Sequence, residues 1–400
     1  MRAHFWIALA SFVAWPAHGQ TTLSLAGAFA AAWERQPVAQ AAGERGRAVE
    51  ARRRAADALI PDAPTLELGT RSDRFNRDRG AAEYELGLAV PLWLPGERHS
   101  SRALAEAEGV ALDQRLQLLR LQLAGELRQA WWAWALARND RALSAERVEA
   151  ARRLRDDVVR RVAAGDLARA DRHQAEGALA AAVAQQAEAE AVLAGARLAV
   201  EVLTGPLAAA GDAPEAEVAG TDDARHPRLR DAEARGELAR RSLELARARS
   251  RANPEVTLST RRERGVAGEA LEQTWALGLR LPLSSAPRRD ARLAEANADL
   301  IEAGLSAERE RERVAGEAAA ARERWLAARD QSVASDERAR LARESRVFFD
   351  KSFRLGETDL PTRLRIELEA FEAERQAARA RINRAASLSA YRQALGLLPE

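Results

Sequence analysis

The sequence predicts a mainly α-helical chain with a membrane β-barrel part, built from one unit that is used twice. Three observations predict it. A helix break with a glycine at its tip occurs at Gly165 and again at Gly356, 191 residues later. Each half carries two short stretches of period-two alternation, followed by a charged, alanine-rich run too long for a compact domain. The two halves also keep register with each other along their length, which marks a duplicated unit. That unit reads helix, β-hairpin, long helical hairpin.

Composition narrows the class. The 400 residues carry 62 basic and 60 acidic side chains with the signs interspersed, which argues against a nucleic-acid surface. The body is rich in Ala, Arg, Glu and Leu, a long-helix composition. There is no cysteine, so disulfides, thiolate metal sites, cysteine nucleophiles and an N-terminal lipid anchor are excluded. Residues 1–19 read as a secretory signal peptide: Arg2, an apolar run from Phe5 to Trp15, then Pro16 and the small-residue site Ala17-His18-Gly19. No later stretch approaches 18 uncharged apolar residues, the length a membrane-spanning helix needs.

The first repeat is expected over residues 20–206. Apolar residues recur at helical spacing from Leu23 to Trp33, with Thr22 as the expected cap. Pro37 restarts the helix, which runs to about Ile60, where Pro61 and Pro64 end it. Strands are expected at about 65–70 and 83–91. In the second, Tyr84, Leu86, Leu88 and Val90 share one face, and Glu83, Glu85, Gly87 and Ala89 share the other. A helical hairpin fills about 97–204, its first arm spanning roughly 100 Å at 1.5 Å per residue. Its tip is Gly165, and the return helix is expected from about Leu167. At such a tip glycine supplies the left-handed turn, and an Asp or Thr caps the next helix.

A Gly/Ala/Pro/Asp linker is expected at 207–225, and the second repeat over 226–400. Pro227 matches Pro37 and Pro254 matches Pro64, both offset by 190. Strands are expected at about 255–260 and 274–282, and a helical hairpin at about 287–395 with its tip at 356. Gly278 falls on Gly87, Pro282 on Pro91 and Gly396 on Gly205, all at 191. Helix faces correspond too: Leu123, Leu127, Ala130 and Trp134 are matched by Val314, Ala318, Ala321 and Trp325.

Four strands cannot close a barrel, so closure must come from copies of the chain. Three copies would give about twelve strands, inside the range of membrane barrels. Tyr84, Leu86, Leu88, Val90, Val256, Leu258, Trp275, Leu277, Leu279 and Leu281 would then face lipid. Glu67, Glu83, Glu85, Thr257, Ser259 and Arg280 would face a water-filled lumen.

Leu23-Ser24-Leu25-Ala26-Gly27-Ala28 with Ala32 and Pro37, the duplicated strand pairs and the two glycine tips together resemble the TolC-like family of outer-membrane efflux channels. The resemblance covers essentially the whole mature chain. The stretch Val90-Pro91-Leu92-Trp93-Leu94-Pro95-Gly96-Glu97-Arg98 is similar to the segment after the hairpin in the heavy-metal (cobalt–zinc–cadmium) branch. The resemblance implies a homotrimer whose 12-stranded β-barrel continues into a long periplasmic α-barrel. It implies a passive, gated conduit from an inner-membrane pump, through a periplasmic adaptor, to the exterior, with heavy-metal cations among the substrates. It places adaptor docking at Gly165, Asp166, Leu167, Gly356, Glu357, Thr358 and Leu360. It places the periplasmic aperture near Arg161, Asp171, Asp350, Arg354 and Asp359. Thr362 stands where the second half of the family often has an acid, so a pore ring of acids from both halves does not follow.

Other candidates have plainer readings. His99, His173 and His226 stand alone, without partners at metal-ligand spacing, and read as surface histidines; neither a bound metal nor a cofactor is expected. Trp131, Trp132 and Trp134, and Phe349 and Phe353, read as helix packing rather than substrate contacts. Arg161 and Arg354 either hold a closed aperture or complement the helix C-termini. No glycine-rich phosphate loop and no nucleophile elbow occur, and no enzyme is expected. The competing class is a soluble, exported coiled-coil scaffold or adaptor, which shares the long helices but leaves the paired amphipathic hairpins unexplained.

Overall fold

The computed structural model describes residues 24–76, 78–206, 211, 213–218, 225–283 and 286–400. The expected signal peptide, the cap at Thr22 and most of the linker lie outside these residues. Helix α1 spans Leu25–Glu34 and is capped by Ser24, whose hydroxyl accepts from the Gly27 N–H at 3.1 Å. Helix α2 spans Pro37–Asp57, with proline at its first position, and ends three residues before the expected Ile60. Strands β1 (Thr65–Ser72) and β2 (Ala82–Pro91) follow, then α3 (Glu97–Ala164) and α4 (Arg169–Thr204). The same order then repeats: α5 (Pro227–Ala248), β3 (Glu255–Arg264), β4 (Glu272–Arg280), α6 (Ala286–Arg354) and α7 (Leu360–Ala394). Pro227 opens α5 as Pro37 opens α2, because a first-turn N–H has no helical partner to lose.

The four strands form one antiparallel sheet in the order β1-β2-β3-β4. The two hairpins are therefore not separate: β2 pairs β3 along its whole length, across the repeats. Register puts Leu66, Leu88, Leu258 and Leu277 in one row across all four strands. Helices extend the strands in matching order, with α2 packed on α3, α3 on α5 and α5 on α6. Farther down, the order becomes α4-α3-α7-α6. One curved layer thus runs from strand tips to helix tips, with α6 exposed at one edge throughout.

Where helices become strands, Glu97 is buried and satisfied. Its carboxylate accepts from the Leu94 N–H (3.1 Å), from Arg249 (2.8 Å) and from the Asn253 amide (2.7 Å). Asn253 also donates to the Leu92 carbonyl at 3.0 Å, and the Trp93 indole donates to the Ala58 carbonyl at 3.2 Å. The segment after β2 is in this way fastened to the segment before β3.

The main core lies midway along the helices, where α1 lays Leu25, Ala28, Phe29 and Ala32 against Leu123, Leu127, Trp131, Trp132, Trp134 and Val200. Trp131 and Trp134 meet edge to face at 5.9 Å, and Trp325 stacks on Tyr391 at 5.9 Å, so these indoles pack helices together. Beside this core sits a buried ionic knot. Glu215 receives two hydrogen bonds from Arg128 of α3 (3.0 and 2.6 Å) and lies 3.3 Å from Arg392 of α7. His226, expected on the surface, is buried: its Nδ1 accepts from the Arg228 N–H at 3.2 Å and caps α5. Its ring occupies the space a side chain at Gly396 would need.

Candidate functional site

The candidate residues fall in two regions: the helical tips and the face of the sheet. At the first tip Gly165 has φ 88°; its N–H donates to the Val162 carbonyl and the Asp166 N–H to the Arg161 carbonyl. At the second, Gly356 has φ 79°; its N–H donates to the Phe353 carbonyl and the Glu357 N–H to the Ser352 carbonyl. Both are the same Schellman turn, in which only glycine avoids strain and the last helical carbonyls find partners. Asp166, Glu357 and both glycines are exposed.

The start of the return helix is solved differently in each half. Asp359 caps α7, its carboxylate accepting from the Thr362 N–H at 3.1 Å. At the first tip Ala168 stands in the cap position, α4 begins at Arg169 rather than Leu167, and Asp171 instead accepts from the Ala168 N–H at 2.9 Å. A capping box has two reciprocal bonds, and each half keeps one of them. This explains why the acid falls at 171 in one repeat and 359 in the other. The side-chain and backbone bonds from Thr362 hold the Asp359 carboxyl below the usual aspartate value.

The two tips pack on each other through Phe353, buried with Leu154, Val158, Ala175 and Leu360. Leu360 is 1% exposed, so it belongs to the core of the tip and is not presented for docking. Leu167 packs half-buried against the same cluster. Thr358 bonds Ser352 at 2.6 Å and closes the second turn. Arg161 stacks on the Phe353 ring at 5.1 Å, and Arg363 does so at 4.6 Å. Asp350 lies between Arg354 and Arg363, 2.5 Å from each. Burial pushes the Arg363 guanidinium below the usual arginine value, against Asp350, which raises it.

The seam between hairpins is polar. Asp140, Arg147, Leu154 and Arg161 follow one another on α3 at seven-residue steps, one side of a helix. Asp140 accepts from Arg379 at 3.0 and 3.1 Å, and Arg147 stacks on Phe371 at 4.7 Å. A groove of about 880 Å³ opens along this seam, lined by Arg147, Arg161, Arg346, Asp350, Arg363 and Phe371. The Asp140–Arg379 pair and the groove were not singled out from the sequence; the seven-residue step on α3 was the available signal.

On the sheet, Tyr84, Leu86, Leu88, Leu258, Trp275, Leu277 and Leu279 are exposed and share one face, with Val256 half-buried in the same face. Trp275 is 67% and Leu277 77% exposed, with no helix covering them. The opposite face carries Glu67, Glu83, Glu85, Thr257, Ser259 and Arg280. Here Arg261 pairs with Glu83 at 3.0 Å and Arg280 with Glu255 at 3.1 Å. Strands β1 and β4 each have one edge unpaired among the described residues. No described helix is long and apolar enough to cross a membrane. Nor do three described His, Asp or Glu side chains converge as a metal cage.

Comparison with solved structures decides what this architecture is. A membrane protein from Pseudomonas aeruginosa superposes with a TM-score of 0.76 at 21% identity, over 93% of this chain and 90% of that one. The outer membrane protein VceC from Vibrio cholerae superposes at 0.72 and 18% identity, over 94% and 97%. The outer-membrane channel OprN superposes at 0.74 and 23% identity, over 93% and 89%. The chain has the TolC-like fold. No protein-family model matches the sequence, and no curated protein matches it. In the TolC-like fold the helical part forms one barrel and the strands another.

Proposed function

We propose that this chain is the outer-membrane component of an efflux system, a homotrimeric, gated and passive conduit. The observation that carries the reading is the open sheet, with an uncovered apolar face, a charged opposite face and two unpaired edges. In water such an apolar patch invites association, whereas in a membrane it is solvated by lipid. In an antiparallel sheet of this order, β4 of one copy can pair antiparallel with β1 of the next, and three copies give about twelve strands. The helical layer supports the same closure. Its outer helices expose Val183, Val192, Leu198 and Val202 on α4 and Ile301, Leu305, Val333 and Phe348 on α6. These are the helices left at the edges of the layer.

On this reading residues 1–19 direct export, the sheet spans the outer membrane and the helices stand in the periplasm. The tips receive a periplasmic adaptor through their exposed residues Gly165, Asp166, Gly356 and Glu357, with Leu167 and Thr358 shaping the turns. Arg161, Asp171, Asp350, Arg354 and Asp359 surround the aperture, and an inner-membrane pump supplies energy and selects the substrate. Heavy-metal cations are the proposed cargo. The test is conductance in planar bilayers together with efflux in cells. Discrete conductance steps, and accumulation of cobalt, zinc or cadmium in cells lacking the protein, are expected. A protein without conductance, recovered from the soluble periplasmic fraction, would overturn the proposal.

A further inference from the structure

The charges of the sheet are sorted by face more strictly than a barrel wall requires. All six strand carboxylates, Glu67, Glu83, Glu85, Glu255, Glu263 and Glu272, lie on the polar face. The arginines of that face, Arg71, Arg261 and Arg280, are each paired with one of these carboxylates at 3.0 to 3.2 Å. Arg262 and Arg264 differ. Register sets them on the apolar face, opposite Tyr84 and Ala82 on β2. Among the described residues their hydrogen-bond partners are neutral: Arg262 donates to the Gln273 side-chain amide oxygen at 3.0 and 3.2 Å, and Arg264 to the Gly80 backbone carbonyl at 3.0 Å.

Their height on the sheet matters as much as their charge. Along β3 the apolar face reads Val256, Leu258, Thr260, then Arg262 and Arg264. The arginines stand roughly 13 Å or more beyond Leu258, at the end of the sheet away from the helices. Tyr84 lies level with Arg262 and Trp275 two residues below it, as aromatic side chains do at the edge of a membrane. A guanidinium at this level has its stem against hydrocarbon and its donors at the headgroups. Guanidinium and phosphate match as a bidentate pair.

We propose that Arg262 and Arg264 form a binding site for the phosphate of a lipid headgroup at the outer rim of the membrane-embedded sheet. The site rests on the barrel reading given above, which fixes the loop end of the sheet as the outer end. Its occupant is a membrane lipid rather than free phosphate, because the two guanidiniums flank an apolar surface that only an acyl chain would cover. Two residues apart on one strand face, and so about seven ångströms apart along the backbone, the two arginines suit a headgroup with more than one phosphate oxygen exposed.

The experiment uses the purified full-length mature protein in mild detergent, with labelled lipid A and labelled dephosphorylated lipid A as probes. Binding is read as lipid co-eluting with the protein on a sizing column with light scattering. The phosphorylated lipid is expected to bind more tightly. The double variant Arg262→Gln/Arg264→Gln should lose roughly fivefold for each arginine, about twenty-fivefold in all, and bind both lipids alike. Arg261→Gln, one residue away on the other face, should keep the preference, and excess inorganic phosphate should not displace the lipid. Equal binding of both lipids by the wild type, a preference surviving in the double variant, or displacement by inorganic phosphate would overturn the site. The same column reports particle mass, so a monomer would contradict the conduit reading, whereas a trimer without phosphate preference would contradict only the site.

Discussion

Glu215→Ala leaves two buried guanidiniums facing each other. Arg128 and Arg392 are each 2% exposed, and the Glu215 carboxylate is the acid they share. The substitution removes both bonds from Arg128 and the 3.3 Å contact to Arg392. Arg128 keeps the Gln393 side-chain oxygen at 2.6 Å and the Leu397 carbonyl at 2.9 Å. Arg392 keeps the Ala216 carbonyl at 2.9 Å and the exposed Glu400 at 3.1 Å. Removing one member of a buried ion pair costs about 3–5 kcal/mol, and the retained acceptors place this case near the lower end, at about 3 kcal/mol. The assay is urea unfolding followed by tryptophan fluorescence, since Trp131 and Trp132 lie within a turn of Arg128 on α3. The triple variant Arg128→Met/Glu215→Leu/Arg392→Met removes the three buried charges at once, leaving only the exposed Glu400, and should recover most of the loss. A Glu215→Ala protein as stable as the wild type, or a triple variant as weak as the single one, would refute the reasoning.

Other consequences follow from the tips and the sheet. Gly165→Ala and Gly356→Ala force a side chain into the left-handed region and should each cost about 1–2 kcal/mol in the same unfolding assay; no change would mean that the turn relaxes. Leu277→Arg puts a charge on the proposed lipid face and should cost about 2–4 kcal/mol and reduce recovery from outer membranes, while Glu67→Gln on the other face should not. The Asp359 carboxyl sits below its ordinary value in the folded chain, so its contribution is present above the unfolded value and is lost as pH falls through the folded one. The protection factor of the Thr362 amide and its neighbours, the intrinsic exchange rate over the observed one, should therefore fall below roughly pH 4 in the wild type and stay level in Asp359→Asn, which keeps a capping oxygen. A protection factor that ignores pH in the wild type would count against the cap.

What the sequence made legible is local. A glycine after a helix that needs a left-handed residue, a proline at the first helical position and alternation along a strand each act within a few residues, and all are visible at Gly165, Gly356, Pro37, Pro227 and Tyr84 to Val90. Periodicity names the face that will be covered but not the element that covers it. The pairing of β2 with β3 joins residues more than 160 positions apart and has no local signature. His226 reads as a surface residue until α7 ends against it. Leu360 reads as part of an exposed tip until Phe353 packs on it. Glu215 stands in a stretch with a linker's composition, and its partners, Arg128 and Arg392, look like the many solvated arginines of the long helices. The expected cap at Thr22 gives way to Ser24, because the helix starts where a hydroxyl reaches the first free N–H.

The central claim is that copies of this chain close its open sheet into a membrane barrel. The most direct test is the mass of the protein particle extracted in mild detergent from outer membranes. A trimer is predicted, with β signal beside dominant helix in circular dichroism. A monomer or dimer recovered without detergent from the periplasmic fraction would contradict the account.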